Sequence, residues 1–209
     1  NTAIAAAGGI DDVSAISIGG QQHGMVTLDA SGNVIRPALL WNDTRSATSA
    51  DDLNTELGGP AKTAEQVGSV LVAAFTAPKL RWVADNEKEN AAKVAAVALP
   101  HDWLSWQMQG GKDFDLLFTD RSDASGTGYF NPVTSTYRHD ILSSALRTDR
   151  AIIAPRIIEP AAFGGKTLSG IPIAAGAGDN AAAALGVQAE PGDVVVSLGT
   201  SGTAFAISD

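Results

Sequence analysis

Cysteine is absent from the 209 residues of this chain, which excludes disulfide bonds and thiolate zinc sites and fits any compartment. Histidine is nearly as scarce. The three histidines, His23, His101 and His139, lie far apart and show no spacing typical of metal ligands. The sequence therefore predicts no structural metal site.

Basic residues are also few, with 14 Lys and Arg against 23 Asp and Glu and a net charge of −9. This balance disfavours nucleic acid and anionic membrane as partners. It does not exclude a nucleotide, because a phosphate site needs only local donors and a cation. We therefore expect small-molecule partners, with no nucleic-acid or membrane partner.

Long apolar runs are missing, since none reaches the roughly 18 residues that a membrane-spanning helix needs. The alanine-rich start lacks the basic leader of a secretory signal peptide. A hydrophobic content of 44% and a charged content of 18% are ordinary for a folded domain and argue against disorder. We therefore expect a globular cytoplasmic protein without a signal peptide or a membrane span.

One candidate base stands between a predicted strand at 171–175 and a predicted helix that follows it. Asp179 or Asn180 could be the N-cap of that helix. Alternatively, Gly176 and Gly178 leave room for a substrate, and Asp179 accepts the proton of an attacking hydroxyl. The helix N-terminus favours a negative charge at this position. From the residues alone, the two interpretations are about even.

A glycine-rich turn lies some twenty residues further on, with the sequence Ser-Leu-Gly-Thr-Ser-Gly-Thr at 197–203. Apolar segments at 194–196 and 204–207 flank it, which predicts a β-hairpin. A P-loop would instead open a helix and carry a lysine. Backbone N–H groups and the hydroxyls of Thr200 and Ser201 could still bind phosphate. Taken alone, an ordinary hairpin turn is slightly favoured.

The rest of the chain alternates between predicted strands and helices, which is typical of an α/β fold. Strands are predicted at 13–18 and 94–99, and helices at 46–57, 101–109 and 141–146. The first strand ends just before Gln21, and ligands of open α/β sheets gather at strand ends.

Six short motifs, taken together and in order, make the chain resemble the FGGY carbohydrate kinases, and within them the xylulokinases. The motifs are Gly-Gln-Gln-His-Gly at 20–24, Leu-Trp-Asn-Asp-Thr-Arg at 40–45, Phe-Thr-Ala-Pro-Lys-Leu at 75–80, Ser-Asp-Ala-Ser-Gly-Thr at 122–127, Gly-Asp-Asn-Ala-Ala at 178–182 and Ser-Leu-Gly-Thr-Ser-Gly at 197–202. The resemblance implies two ribonuclease-H-like (actin-like ATPase) lobes that enclose an active site. It also implies ATP-dependent phosphorylation of D-xylulose on its terminal hydroxyl, with Mg²⁺.

The resemblance assigns Asp179 as the catalytic base and places Gln22 and His23 against the sugar. A histidine ring can donate to one hydroxyl and accept from another, whereas the side chain of Gln22 could be dispensable. Asn180 has an amide that can orient a second hydroxyl. Asp123 lies in a polar segment that could reach the sugar, with a turn or helix-cap role about as well supported.

The resemblance also implies that the 197–203 turn faces the phosphates of ATP, through Gly199, Thr200, Ser201 and Gly202. No metal ligand among the protein's own residues is assigned. Lys79 could be a solvated residue of a first helical turn, and we give it no role.

The same resemblance implies that the chain is an internal fragment. These kinases begin with a strand and an Asp-x-Gly-Thr-type turn that contacts the phosphates of Mg-ATP, and no such motif precedes Gln21. We expect residues 1–190 to be the N-terminal sugar-binding lobe without its first strands and first phosphate loop. Residues 191–209 would be the hinge and the start of the C-terminal nucleotide-binding lobe. Such a fragment should be inactive by itself.

Other functions remain open at this stage. A related kinase for gluconate, ribulose, rhamnulose or glycerol is the main alternative, although glycerol kinases resemble Arg-Glu where this chain has Gln22 and His23. A non-catalytic sugar sensor is a second alternative, but a sensor needs neither the acid nor the phosphate turn. A homodimer is compatible with each of these functions.

Overall fold

The structure is a computed structural model that describes residues 5–6, 8–10, 12–198 and 202–208. Its main α-helices are α1 (Ala47–Glu56), α2 (Pro60–Val67), α3 (Thr76–Asn86), α4 (Lys88–Lys93), α5 (Pro100–Met108), α6 (Arg121–Ala124), α7 (His139–Ala145) and α8 (Asp179–Gly186). Its strands are β1 (Gly19–Gly20), β2 (Val26–Leu28), β3 (Ala96–Ala98), β4 (Phe118–Thr119), β5 (Phe130–Asn131), β6 (Thr136–Tyr137), β7 (Arg156–Ile157), β8 (Phe163–Lys166), β9 (Pro172–Ala174), β10 (Ala177–Gly178), β11 (Val194–Leu198) and β12 (Gly202–Ala206). This mixture of helices and strands confirms the predicted α/β class.

The helix predictions are confirmed to within one or two residues at 46–57 and 101–109, which correspond to α1 and α5. Helix α1 ends before Gly58 and Gly59, which have φ of 96° and 100°. Glycine is favoured there because a side chain rarely adopts positive φ. Pro60 then begins α2, where its missing N–H needs no partner.

The strands pair two by two in the described residues, as β1 with β10, β2 with β3, β4 with β7, β5 with β6, β8 with β9 and β11 with β12. The β11–β12 pair is antiparallel, so the predicted hairpin is confirmed. The strand predicted at 13–18 is not formed as such. Only Ile16 makes a bridge, to Ile173, and the strand β1 comes later.

Pairing of β1 with β10 positions the candidate site. The two strands are parallel, with Gly19 opposite Ala177 and Gly20 opposite Gly178. Because they run in the same direction, the segments that follow them emerge at the same edge. Residues 21–23 and Asp179 are therefore neighbours although more than 150 residues separate them in the chain.

The glycines before Asp179 serve this pairing. A Cβ on Gly176 would lie 2.3 Å from the carbonyl oxygen of Ile18, and a Cβ on Gly178 would lie 2.7 Å from the side chain of Gln22. The expectation that these glycines leave room for a substrate is wrong, because protein atoms fill that space. Their function is to let two strands and a side chain approach closely.

Most of the buried apolar side chains form one cluster between the helices α1, α3 and α7 and the strand β3. A second cluster surrounds Trp106, and a third surrounds Ile173, which belongs to β9. No helix in the described part of the chain has the length and apolar character needed to cross a membrane.

Candidate active site

Four of the predicted catalytic and sugar-binding residues line one cavity of about 220 Å³, together with three further residues. The predicted ones are Gln22, His23, Asp179 and Asn180, and the additional ones are Gln21, Trp41 and Thr203. The cavity thus joins the ends of β1 and β10 to a loop after β2 and to the strand β12. A small polar ligand could meet a carboxylate, an imidazole, three amides and a hydroxyl there.

His23 is held in a defined orientation. Its Nδ1 lies 2.7 Å from the carbonyl oxygen of Gly126, and its ring stacks on Phe75 with centroids 4.7 Å apart. Because a carbonyl oxygen can only accept, Nδ1 carries a hydrogen, and Nε2 of the neutral ring is an acceptor. The expectation that one neutral ring donates to one ligand hydroxyl and accepts from another is therefore wrong, since its donor is already used.

Burial is the main influence on the charge of His23, and it lowers the pKa of the ring below the usual 6.5. The positive charge of Lys79 adds to this decrease, while the bond to Gly126 and the negative charge of Asp179 oppose it. His23 is therefore neutral at neutral pH. A neutral Nε2 is suited to accept a hydrogen bond from a hydroxyl group of a ligand.

Asp179 is exposed at the first position of α8, and the N-cap is Gly178. The alternative that Asp179 or Asn180 caps the helix is therefore wrong. The backbone N–H of Asn180 donates to Oδ1 of Asp179 over 2.9 Å. Oδ2 accepts no hydrogen bond from the described residues, so one oxygen is oriented and the other is available to a ligand.

Gln21 and Trp41 extend the wall of the cavity. The backbone N–H of Trp41 donates to Oε1 of Gln21 over 3.3 Å, and about half of the Trp41 side chain is exposed. An exposed indole at a polar cavity is a typical surface for the apolar face of a sugar. Trp103 is not among the residues that line the cavity, and it packs against the core cluster around Trp106.

Asp123 does not line this cavity. Its side chain is fully buried, and its Oδ2 lies 2.7 Å from Nε2 of His101, which also contacts Asp102 at 2.9 Å. The structure therefore does not bring Asp123 together with the other predicted sugar ligands. The helix-cap position in this segment belongs to Asp120, which accepts from the backbone N–H groups of Ser122 and Asp123.

This buried acidic group has the composition of a cation site, since ligand atoms of His101, Asp120 and Asp123 all lie within 4.8 Å of one another. The argument from histidine spacing could not detect it, because it combines one histidine with aspartates. Although burial opposes the charged form, Asp102 and Asp123 raise the pKa of His101 to about 10. Burial also raises the pKa of Asp123, to about 8. Nε2 of His101 contacts both Asp102 and Asp123, so the cluster is a buried network of one histidine and several carboxyl groups.

The predicted phosphate turn is described only in part. Gly199, Thr200 and Ser201 lie outside the described residues, whereas Gly202 begins β12 and Thr203 faces the cavity. The hairpin thus contributes one hydroxyl next to Asp179 and Asn180.

Comparison with known proteins identifies the family. The profile of the FGGY family of carbohydrate kinases, N-terminal domain, matches residues 4–186. The chain belongs to the FGGY family of carbohydrate kinases. The cavity residues from Gln21 to Asn180 all lie within the matched range, and Thr203 lies beyond it.

Individual FGGY kinases resemble the chain over nearly its whole length. The xylulose kinases of Streptomyces coelicolor and Streptomyces rubiginosus are 48% and 45% identical to it, each over 94% of the chain. The crystal structure of xylulose kinase from Bifidobacterium adolescentis matches 96% of the chain with a TM-score of 0.90 and 43% identity. This similarity confirms the expected actin-like fold of an FGGY kinase.

The chain spans less than half the length of these relatives. It covers 41% of each Streptomyces protein and 48% of the Bifidobacterium chain. What the complete relatives do therefore applies to this chain only as a proposal.

Proposed function

We propose that this chain forms the sugar-binding part of an ATP-dependent kinase that phosphorylates D-xylulose on its C5 hydroxyl. The observation that carries the proposal is the common cavity of Asp179, His23 and Asn180. A carboxylate with a free oxygen faces the same space as an imidazole acceptor and an amide. The similarity to xylulose kinases at up to 48% identity supports the choice of sugar.

In this proposal the sugar is held through its hydroxyl groups. Nε2 of His23 accepts from one hydroxyl, and the side-chain amide of Asn180 both donates and accepts. Gln22 has a lesser role, because its Nε2 already donates to the backbone oxygen of Ser122. Trp41 covers the apolar face of the sugar.

Asp179 is the general base. As the sugar oxygen attacks the γ-phosphorus of ATP, its proton passes to Oδ2 of Asp179, and the bond to the β-phosphate oxygen breaks to release ADP. A carboxylate is too weak to deprotonate an alcohol beforehand, so the proton moves together with phosphoryl transfer. Positioning of the two reactants contributes more to the rate than this proton transfer does.

ATP enters as a substrate with Mg²⁺. Thr203, in the strand β12, carries a hydroxyl that faces the cavity. This hydroxyl fits a contact to the transferred phosphoryl group. Gly199, Thr200, Ser201 and Gly202 are proposed to donate their backbone N–H groups and hydroxyls to the phosphates. Mg²⁺ would neutralise part of the charge on the transferred group.

We further propose that residues 1–190 belong to the sugar-binding lobe and residues 191–209 to the hinge and the start of the nucleotide-binding lobe. The match of the N-terminal domain profile to residues 4–186 supports this boundary. Because the remaining nucleotide contacts would lie on the second lobe, the 209 residues alone should turn over no ATP.

The first experiment measures ADP release by the full-length protein with Mg-ATP and a panel of sugars. Release is expected to be fastest with D-xylulose. Faster release with gluconate, ribulose, rhamnulose or glycerol would keep the mechanism and change the substrate. If a sugar raises the melting temperature while no sugar supports ADP release, the protein is a sensor and not a kinase.

The role of Asp179 is tested by Asp179→Ala, with Asp149→Ala as the control at another exposed aspartate. Asp179→Ala should lower kcat by about 10²–10⁴-fold, while the Kd of the sugar changes little. Asp149→Ala should retain normal turnover. Near-normal turnover in Asp179→Ala would show that Asp179 is not the general base.

A further inference from the structure

One short segment, residues 120–126, lies directly behind the candidate site and contacts three parts of it. The side chain of Gln22 donates to the backbone oxygen of Ser122. Nδ1 of His23 donates to the backbone oxygen of Gly126. The backbone N–H of Gly178 donates to the hydroxyl of Ser122 over 2.9 Å. The two ligand-binding segments are thus fixed to the same element although they come from opposite ends of the chain.

The hydroxyl of Ser122 is itself held by a charge. Its Oγ lies 2.6 Å from Oδ1 of Asp120, which also accepts the backbone N–H groups of Ser122 and Asp123. Since a carboxylate oxygen only accepts, the hydrogen of the hydroxyl points to Asp120, and the hydroxyl oxygen offers its lone pairs to Gly178. Hydrogen bonds to an ionised group are short and strong, and they strengthen the next bond in the chain.

The bond to Gly178 acts on the residue that comes immediately before Asp179. Gly178 is the last residue of β10 and the N-cap of α8, so its peptide plane sets the direction in which α8 begins. The carboxylate of Asp179 sits on the first residue of that helix and is exposed to the cavity. A rotation at Gly178 would therefore displace the carboxylate directly.

We infer that Ser122 is a positioning residue, whose hydroxyl connects Asp120 to Gly178 and fixes Asp179 relative to the bound sugar. This inference rests on the proposed function, since it assumes that Asp179 is the base. Phosphoryl transfer depends on alignment, and a displacement of about 1 Å can cost about 10²-fold in rate. Ser122 does not line the cavity, so its loss should leave the sugar contacts in place.

The test compares Ser122→Ala with Ser125→Ala in the full-length protein. The hydroxyl of Ser125 is exposed and donates to the backbone oxygen of Ser122, so it belongs to the same segment without reaching Gly178. Ser122→Ala should lower kcat by about 10- to 100-fold, with the KM and Kd of the sugar within about twofold of the unmodified protein. Ser125→Ala should leave kcat, KM and Kd close to those of the unmodified protein. Ser122→Thr, which retains a hydroxyl, should recover most of the turnover.

Several outcomes would overturn the inference. These are a kcat in Ser122→Ala within twofold of normal, an equal loss in Ser125→Ala, and a loss in Ser122→Thr as large as in Ser122→Ala. A parallel loss of sugar binding and of melting temperature in Ser122→Ala would assign the hydroxyl to structure alone.

A second measurement separates this inference from the proposed function. Amide hydrogen exchange at Gly178 should become faster in Ser122→Ala and remain unchanged in Ser125→Ala, whatever the reaction is. If the unmodified protein phosphorylates no sugar, the proposed function fails, and this exchange rate decides whether Ser122 fixes the start of α8. Unchanged exchange at Gly178 would show that the hydroxyl does not hold it.

Discussion

Nδ1 of His23 lies 2.7 Å from the carbonyl oxygen of Gly126, a residue 103 positions further along the chain. This contact determines which nitrogen of the ring is protonated, because the carbonyl oxygen can only accept. It also fixes the ring with Nε2 as the free acceptor of the neutral side chain. In the proposed function, recognition of a sugar hydroxyl by His23 therefore requires the neutral ring.

Sugar binding should consequently depend on pH below neutrality. The pKa of His23 lies below 6.5, so the ring is neutral at pH 7 and gains a proton only as the pH falls further. Protonation removes the acceptor, and the affinity for sugar should fall by up to about tenfold. Calorimetric titration with the sugar at pH 7.5 and pH 5 measures this change. The His23→Phe protein should bind weakly at both pH values, and an affinity in the unmodified protein that is equal at both would contradict the assignment.

Gly176→Ala should destabilise the protein and impair the site. The added Cβ would lie 2.3 Å from the backbone oxygen of Ile18, so β1 and β10 would have to separate. We expect a loss of about 2–4 kcal/mol in the free energy of unfolding, in the range of other backbone clashes and overpacked sites. Urea denaturation measures the loss.

Gly186→Ala is the matched control for Gly176→Ala. Gly186 is the last residue of α8, and a Cβ there would meet no atom within 4 Å. Alanine is favoured over glycine in a helix by up to about 1 kcal/mol, so Gly186→Ala should be neutral or slightly stabilising. Equal effects of the two substitutions would mean that the close approach at Gly176 is unimportant.

His101→Gln should be strongly destabilising at low pH, because it removes the cation that pairs with Asp102 and contacts Asp123, whose pKa burial raises to about 8. Removal of one partner from a buried ion pair costs about 3–5 kcal/mol. The pKa of His101 is raised to about 10, so its stabilising effect is complete below pH 6.5 and decreases as the pH rises towards 10. The difference between the unmodified protein and His101→Gln should therefore shrink over this interval.

His139→Gln serves as the control for His101→Gln, since His139 is exposed at the start of α7. It should change the free energy of unfolding by less than about 0.5 kcal/mol. If the loss in the free energy of unfolding caused by His101→Gln stays constant from pH 6 to pH 10, His101 is neutral in the folded protein.

The contribution of Lys79 to the free energy of unfolding should have the opposite pH dependence, rising as the pH rises. Its side chain is fully buried, and Nζ donates to the backbone oxygens of Ala73, Ala74 and Phe75. Burial lowers the pKa of Lys79 to about 8, which is below its ordinary value of 10.5. The unfolded chain then binds more protons than the folded protein between these two values, so stability rises with pH there.

The comparison of the unmodified protein with Lys79→Met isolates this effect, with Lys112→Met as the control at an exposed lysine. The free energy of unfolding of the unmodified protein, relative to that of Lys79→Met, should increase as the pH rises from 8 to 10. The difference for Lys112→Met should stay near zero throughout. Thermal or urea unfolding at a series of pH values provides both curves.

Local patterns in the sequence were sufficient for the helices α1, α5, α7 and α8 and for the hairpin of β11 and β12. Gly58 and Gly59 end α1 because positive φ is a property of glycine itself, and Pro60 begins α2 for an equally local reason. The short strands were less predictable. The strand β1 is only two residues long and exists through its pairing with β10, so the pattern at 13–18 misplaced it.

Motif order was sufficient to identify the family and to select four residues of the cavity, although it also selected Asp123, which lies elsewhere. Gln22, His23, Asp179 and Asn180 were each ambiguous alone, since a polar residue near a turn or a helix start has several ordinary functions. Their order along the chain matched that of the FGGY kinases, and the structure places all four at one cavity.

Only the tertiary structure decided which polar side chains are buried and what they contact. Asp123 and Lys79 look like surface residues in the sequence, yet both are fully buried, because their partners lie on other elements. The contact between Ser122 and Gly178 spans 56 residues and has no local signal. Sequence patterns report the preferences of neighbouring residues, whereas the cost of burying a charge or a hydroxyl depends on groups that only the folded chain brings together.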